Sequence, residues 1–188
     1  LWWTPDPRLV LFPAEFHCAR SLRRTLRRQR FRLTVDACFR EVMEACAAPR
    51  PGQDGTWISP RMVAAYGALH DAGHAHSIEA WDREGRLAGG LYGVCIGGAF
   101  FGESMFSRET DASKVALAWL VAGMRAAGYA LLDCQFATDH LARFGLKEIP
   151  RATYHATLQT ALAQNADFHL MPVNLSPVEV LHAVGHKS

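Results

Sequence analysis

No stretch of this 188-residue chain is apolar for the ~20 residues that span a bilayer. Its opening residues, Leu1-Trp2-Trp3-Thr4-Pro5-Asp6-Pro7-Arg8, have no basic segment leading into an apolar one and so do not read as a signal peptide; the cytoplasm is the expected compartment. There is no initial methionine, and residues are expected upstream. None of the five cysteines (Cys18, Cys38, Cys46, Cys95, Cys134) sits in a CxxC pair. An odd number without metal-ligand spacing suits buried thiols in a reducing compartment, not a disulfide framework or zinc knuckle. No repeats or low-complexity tracts occur, and hydrophobic residues make up 49% of the chain against 20% charged, which excludes disorder and collagen-like structure.

One further absence is informative. Between residues 20 and 32 there is no acid, while seven arginines fall there: Arg20, Arg23, Arg24, Arg27, Arg28, Arg30 and Arg32. The whole chain carries only +2, so the rest of it is net acidic. Cys18, Leu22 and Leu26 recur at helical spacing, predicting a helix from about 15 to 30 with a narrow apolar stripe and cationic remaining faces. Like charges so concentrated repel unless a polyanion is bound. The helix has no large aromatic or leucine face to insert into a membrane, so nucleic-acid phosphate is the expected partner.

Further along, the pattern predicts a strand at 31–35, a helix from Asp36 to about Ala48, and a helix opened by Ser59-Pro60 and ended near Gly73. Three antiparallel strands follow at 76–81, 87–96 and 99–106, the glycines of the second marking bending or close backbone approach. A helix begins at Asp111 or Ser113, a buried strand spans 129–135, and helices are expected at 138–144 and 153–165. Strand, two helices, three meander strands, helix, strand, helix is the order of the GCN5-related N-acyltransferase fold. The expected class is therefore α+β, with a mixed, mostly antiparallel sheet flanked by helices.

Several motifs together carry a resemblance. They are Trp2-Trp3-Thr4-Pro5-Asp6-Pro7-Arg8, Gly55-Thr56-Trp57-Ile58, Gly73-His74-Ala75-His76-Ser77-Ile78-Glu79, Gly89-Gly90-Leu91-Tyr92-Gly93-Val94, Phe101-Gly102-Glu103-Ser104-Met105-Phe106-Ser107-Arg108, Ala112-Ser113-Lys114, Leu132-Asp133-Cys134-Gln135 and Glu148-Ile149-Pro150-Arg151. In this order, over nearly the whole chain, they resemble the leucyl/phenylalanyl-tRNA–protein transferases. The resemblance implies a GCN5-like domain that moves Leu or Phe, and less well Met, from aminoacyl-tRNA to proteins beginning with Arg or Lys, marking them for degradation. It also implies neither metal nor nucleotide cofactor, and a monomer is expected. Family members carry a further N-terminal module ending in aromatic residues before the Trp2-Trp3 motif. On that pattern residues 1–8 are the end of such a module, and 9–188 are the catalytic domain with its basic tRNA-binding helix near 15–30.

An aminoacyl ester is already activated, so catalysis reduces to aligning ester and amine, removing a proton and stabilising an oxyanion. Asp133 and Gln135, at i and i+2 on a strand, are expected to project from one face, and the resemblance makes them catalytic; read alone, they also fit a strand end before a helix cap. Glu103 lies in an otherwise apolar strand and needs a partner: the acceptor amine, Gln135, or an arginine such as Arg108. The resemblance assigns Leu91, Phe100, Met105, Leu117, Leu120 and Leu132 to the aminoacyl side-chain pocket, although such residues also make ordinary core. Trp57 is placed to stack on the terminal adenosine, and Arg20, Arg23, Arg24, Arg27 and Arg28 to grip tRNA. His70, His74 and His76 have metal-like spacing, but Gly73 breaks the helix between them and no metal is expected. A coenzyme-A acyltransferase on the same fold is the alternative enzyme, yet 101–124 lacks the Gln/Arg-x-x-Gly-x-Gly turn that holds pyrophosphate. A tRNA-binding module without catalysis is the alternative from another class.

Overall fold

The computed structural model describes residues 4–49, 55–136, 142–172 and 175–185. Trp2 and Trp3, and most of the helix expected at 138–144, lie outside the described residues.

Among the described residues seven strands form one sheet: β1 (Arg8–Leu11), β2 (Arg32–Val35), β3 (Ala75–Trp81), β4 (Leu87–Ile96), β5 (Ala99–Ser107), β6 (Leu131–Gln135) and β7 (Lys147–Ile149). Their order is β2-β3-β4-β5-β6-β1-β7, antiparallel throughout except for the parallel β5/β6 pair. The strand expected at 87–96 has those bounds, and its glycines permit close approach. A Cβ at Gly93 would lie 2.2 Å from the Phe101 carbonyl oxygen, and one at Gly97, where φ is +54°, 2.4 Å from that of Leu162. Strands β1 and β7 have no clear sequence signature: at four and three residues they are too short for alternation to stand out.

Among the described residues six helices cover the sheet: α1 (Arg20–Arg27), α2 (Phe39–Ala47), α3 (Pro60–Asp71), α4 (Ala112–Ala126), α5 (Arg151–Leu162) and α6 (Pro177–Gly185). Alternation along the strands sorts them onto two faces. Ile78, Leu91, Phe100 and Leu132 pack with α1, α4 and α6. On the opposite face Ala75, Tyr92 and Phe106 pack with α2 and α3, and Val10, Ala99 and Leu131 with α5. Helix α4 is apolar almost all round, as a helix buried between other elements must be; Trp119, Leu120 and Met124 are all inaccessible. At α3 the Ser59 hydroxyl accepts the Met62 N–H and Pro60 occupies the first turn, the cap that the Ser-Pro pair predicts. Among the described residues no helix is long and apolar enough to cross a membrane.

Two local expectations need correction. The arginine helix is only eight residues long, about 12 Å, because Pro13–Glu15 is a separate 3-10 turn and Gln29 adopts a positive φ. Cys18, Leu22 and Leu26 are buried as the stripe predicts, while Arg20, Arg24, Arg27 and Arg28 are exposed. Nor does Asp36 cap α2. Its φ of 54° turns the chain, and its carboxylate accepts the Ser77 N–H at 2.7 Å and pairs with His76 Nδ1 at 2.7 Å.

Candidate active site

The parallel pair in the sheet creates the cleft. Strand β5 pairs with β6 only from Ala99 to Phe101, against Leu131 to Asp133, although β5 continues to Ser107. Beyond Phe101 the strands part, and a cleft of about 1090 Å³ opens between their carboxyl ends, where ligands enter open sheets with a parallel break in strand order.

Leu91, Phe100, Met105, Leu117, Leu120 and Leu132, dispersed over 42 positions of sequence, all line this cleft. Leu91, Phe100, Leu117, Leu120 and Leu132 are also at most 5% exposed, so core and cleft wall are the same surface. Trp57 and Phe136 line it as well, and both are more than half exposed. None of Arg20, Arg23, Arg24, Arg27 and Arg28 is among the lining residues; they form a separate cationic surface, on which the partly buried Arg23 donates from Nε to the Cys18 carbonyl at 2.9 Å.

Two irregularities aim the polar groups. Across β4 and β5, Tyr92 pairs with Ser104 and Gly93 with Gly102, leaving Glu103 as the extra residue of a bulge. Such bulges redirect a side chain beside functional sites, and Glu103 lines the cleft. The Tyr66 hydroxyl on α3 favours the charged form of its carboxylate. Burial pushes the Glu103 carboxyl up and the Asp133 charge adds to this, whereas Tyr66 and the Arg8 charge oppose it. Arg108, the arginine considered as its partner, instead donates from Nη1 to the Leu87 carbonyl at 3.1 Å. Tyr92 lines the cleft too, and its buried hydroxyl has no hydrogen-bond partner among the described residues.

The second irregularity is in β6. Leu9 pairs with Gln135 and Val10 with Asp133, so Cys134 bulges, and Gln135 has a φ of 60°. Simple alternation therefore fails here. Leu132, Cys134 and Gln135 line the cleft; Asp133 does not. Its carboxylate, 0% exposed, lies beneath the strand end on the α5 side. There Oδ1 accepts Arg8 Nε–H at 2.9 Å and the Gln135 backbone N–H at 2.9 Å, and Oδ2 accepts Arg8 Nη2–H and the Tyr154 hydroxyl at 2.7 and 2.6 Å. Gln135 and Glu103 are thus brought to the cleft while Asp133 supports it from below. At Cys134 burial and then Asp133 push the thiol up to about 12, where the reactive thiolate is scarce at neutral pH.

Arg8, Tyr66 and Tyr154 are site residues that sequence reasoning misses. Arg8 is separated from Asp133 by 125 positions, and only the pairing of β1 with β6 brings them together. Tyr154 and Tyr66 read as ordinary inward positions on helices. Among the described residues, Asp36, His70 and His76 are the one group whose ligand atoms converge, within 4.8 Å. His70 and His76 are two of the three histidines with metal-like spacing. These groups already engage one another and the backbone: His70 Nδ1 lies 2.8 Å from the Ala75 carbonyl, and Asp36 holds His76.

An apolar hole edged by an ionisable carboxyl and an amide, open at two aromatic residues, fits an apolar side chain whose polar end reacts at the rim. Comparison with known proteins agrees. Residues 10–159 match the family model described as leucyl/phenylalanyl-tRNA protein transferase. The transferase of that name from Nitrosomonas europaea is 58% identical over 158 residues, covering 84% of this chain and 66% of the relative. That from Thiobacillus denitrificans is 60% identical over 157 residues, covering 84% and 68%. Among solved structures, L-PGS from Bacillus licheniformis aligns over 74% of this chain and 50% of its own, at 13% identity and a TM-score of 0.48. The chain spans about two thirds of the length of the curated relatives it matches. On its motifs and on this identity, the chain belongs to the leucyl/phenylalanyl-tRNA–protein transferase family.

Proposed function

We propose that this chain transfers Leu or Phe, and less well Met, from aminoacyl-tRNA to the α-amine of proteins beginning with Arg or Lys, a tag for degradation. The observation that carries the reading is the convergence of the six apolar residues with Glu103 and Gln135 on one cleft, in a chain of this family. The element order supports a GCN5-related architecture, with residues 9–188 as its catalytic domain and 1–8 as the end of an N-terminal module.

The aminoacyl side chain sits in the apolar hole, which aligns the ester carbonyl at the rim. The acceptor nitrogen attacks that carbonyl. As the tetrahedral intermediate collapses, the C–N bond has formed, the bond to the ribose oxygen breaks, and the proton lost by nitrogen leaves on that oxygen. No energy source beyond the ester is consumed. The Gln135 amide orients the incoming amine and Glu103 supplies the negative charge that favours a cationic acceptor. Trp57, exposed at the mouth, offers a stacking face for the terminal adenosine. The exposed arginines of α1 hold backbone phosphates without reading bases, which suits a reaction taking several charged tRNAs. In this reading the enzyme is a monomer acting in the cytoplasm.

The test is incubation with radiolabelled Leu-tRNA or Phe-tRNA and a protein beginning with Arg. Label on the acceptor N-terminus is the expected result. Acetyl-CoA turnover instead, or tRNA binding with no transfer, would overturn the reading.

A further inference from the structure

Among the inward polar side chains that the transfer chemistry leaves unused are Arg8, from the first strand of the sheet, and Tyr154, on α5. Both end on the Asp133 carboxylate. Arg8 meets it with two nitrogens, Nε at 2.9 Å from Oδ1 and Nη2 at 2.7 Å from Oδ2, and the Tyr154 hydroxyl lies 2.6 Å from Oδ2. The two donors also brace each other, the guanidinium lying 5.0 Å from the centre of the Tyr154 ring. Arg8 is further held from Nη1 by Thr4 Oγ1 at 3.3 Å.

With these donors and the Gln135 N–H, Asp133 has both oxygens engaged and no surface exposed. A carboxylate so placed does not reach a substrate. What it does hold is the backbone of Gln135 in a left-handed conformation, φ 60°, which residues with a Cβ adopt uncommonly and at some cost. That turn follows the bulge at Cys134 and delivers the Gln135 side chain to the cleft.

We propose that Arg8 and Tyr154 are positioning residues of the transfer reaction: they lock Asp133, which in turn fixes the strained turn that aims Gln135. The proposal rests on the transferase reading and deepens it. It makes β1 part of the catalytic apparatus, since the counter-charge of Asp133 comes from the start of the described chain. It also assigns Asp133 to support, not to proton transfer. Arg8 has a second effect, because its charge reaches Glu103 as well, so one guanidinium serves the supporting carboxylate and the carboxyl in the cleft.

Tyr154→Phe keeps the ring and its packing and removes only the hydroxyl; Arg8→Lys keeps the charge but loses the two-pronged geometry. Each variant is compared with the parent in single-turnover and steady-state transfer from Phe-tRNA, and by hydrogen exchange at the Gln135 amide, followed by NMR. For Tyr154→Phe, kcat falls by about tenfold, as expected when a hydrogen bond to a buried charge is removed. KM for charged tRNA and for the acceptor stays constant, and the Gln135 amide exchanges faster. Arg8→Lys gives the larger loss in the same pattern. An unchanged kcat, a loss carried by KM, or a fall in kcat with Gln135 exchange unaltered overturns the proposal. Should the parent transfer nothing, the transferase reading falls by itself, and amide exchange alone decides whether Arg8 and Tyr154 hold the turn.

Discussion

Tyr66, on α3, acts on the carboxylate of Glu103, the residue that bulges from β5 into the cleft, and its hydroxyl favours the charged form. Burial is the larger influence on Glu103 and raises its carboxyl, against the effect of Tyr66. The folded chain therefore binds this proton more tightly than the unfolded chain does. The corresponding stability is fully present below the ordinary carboxylate range and is lost as pH rises through the folded value. Glu103→Gln removes the titration. Its melting temperature should match the parent's most closely in acid and gain on it as pH rises towards neutrality. Glu79, also raised by burial, titrates in both proteins and cancels in the difference. A gap that does not change with pH would show that Glu103 is not held up by its surroundings.

Gly93 is where a methyl group meets the most resistance beside the cleft. An added Cβ would lie 2.2 Å from the Phe101 carbonyl oxygen and 2.4 Å from the Phe100 ring, and neither can withdraw without disturbing the bulge that presents Glu103. Gly93→Ala should cost about 1–3 kcal/mol or more in a denaturant titration, together with a loss of transfer activity. Full stability in this variant would refute the close approach.

Leu117 faces the cleft from α4 and is 4% exposed. Leu117→Ala should destabilise the fold by about 2–5 kcal/mol and enlarge the hole. Transfer of Phe should then be favoured over Leu, the kcat/KM ratio moving by no more than the roughly 1–3 kcal/mol that one apolar pocket discriminates. Competition between the two charged tRNAs measures it; an unaltered ratio would place the side chain elsewhere.

Arg24 and Arg27 are exposed on α1. Arg24→Ala/Arg27→Ala should weaken binding of charged tRNA and make its salt dependence shallower, the logarithmic slope falling by about 0.7–0.9 for each phosphate no longer neutralised. Filter binding across a salt series tests this, and equal slopes for variant and parent would remove α1 from the tRNA surface.

Some of this molecule is legible in its amino-acid order alone. The span of β4, the Ser59-Pro60 start of α3 and the buried stripe of Cys18, Leu22 and Leu26 follow from patterns set by neighbours a few residues apart, which backbone periodicity and capping govern directly. Periodicity overstates the length of α1, because the apolar spacing continues through residues whose backbone has left the helix. The apolar residues of the cleft are recognisable through the family resemblance, since their composition alone is that of any core.

Chain order and side-chain type thus settle where most strands and helices lie and which residues face inward, because those depend on short-range sterics and on the removal of apolar surface from water. The division of labour at the strand end was decided by tertiary structure. Two bulges break the alternation that the sequence implies, moving Glu103 into the cleft and Asp133 out of it, and the partner of Asp133 comes from a strand 125 positions away. Neither has a local signature: a bulge is a property of two strands pairing out of step, and an ion pair of two segments brought together by the sheet.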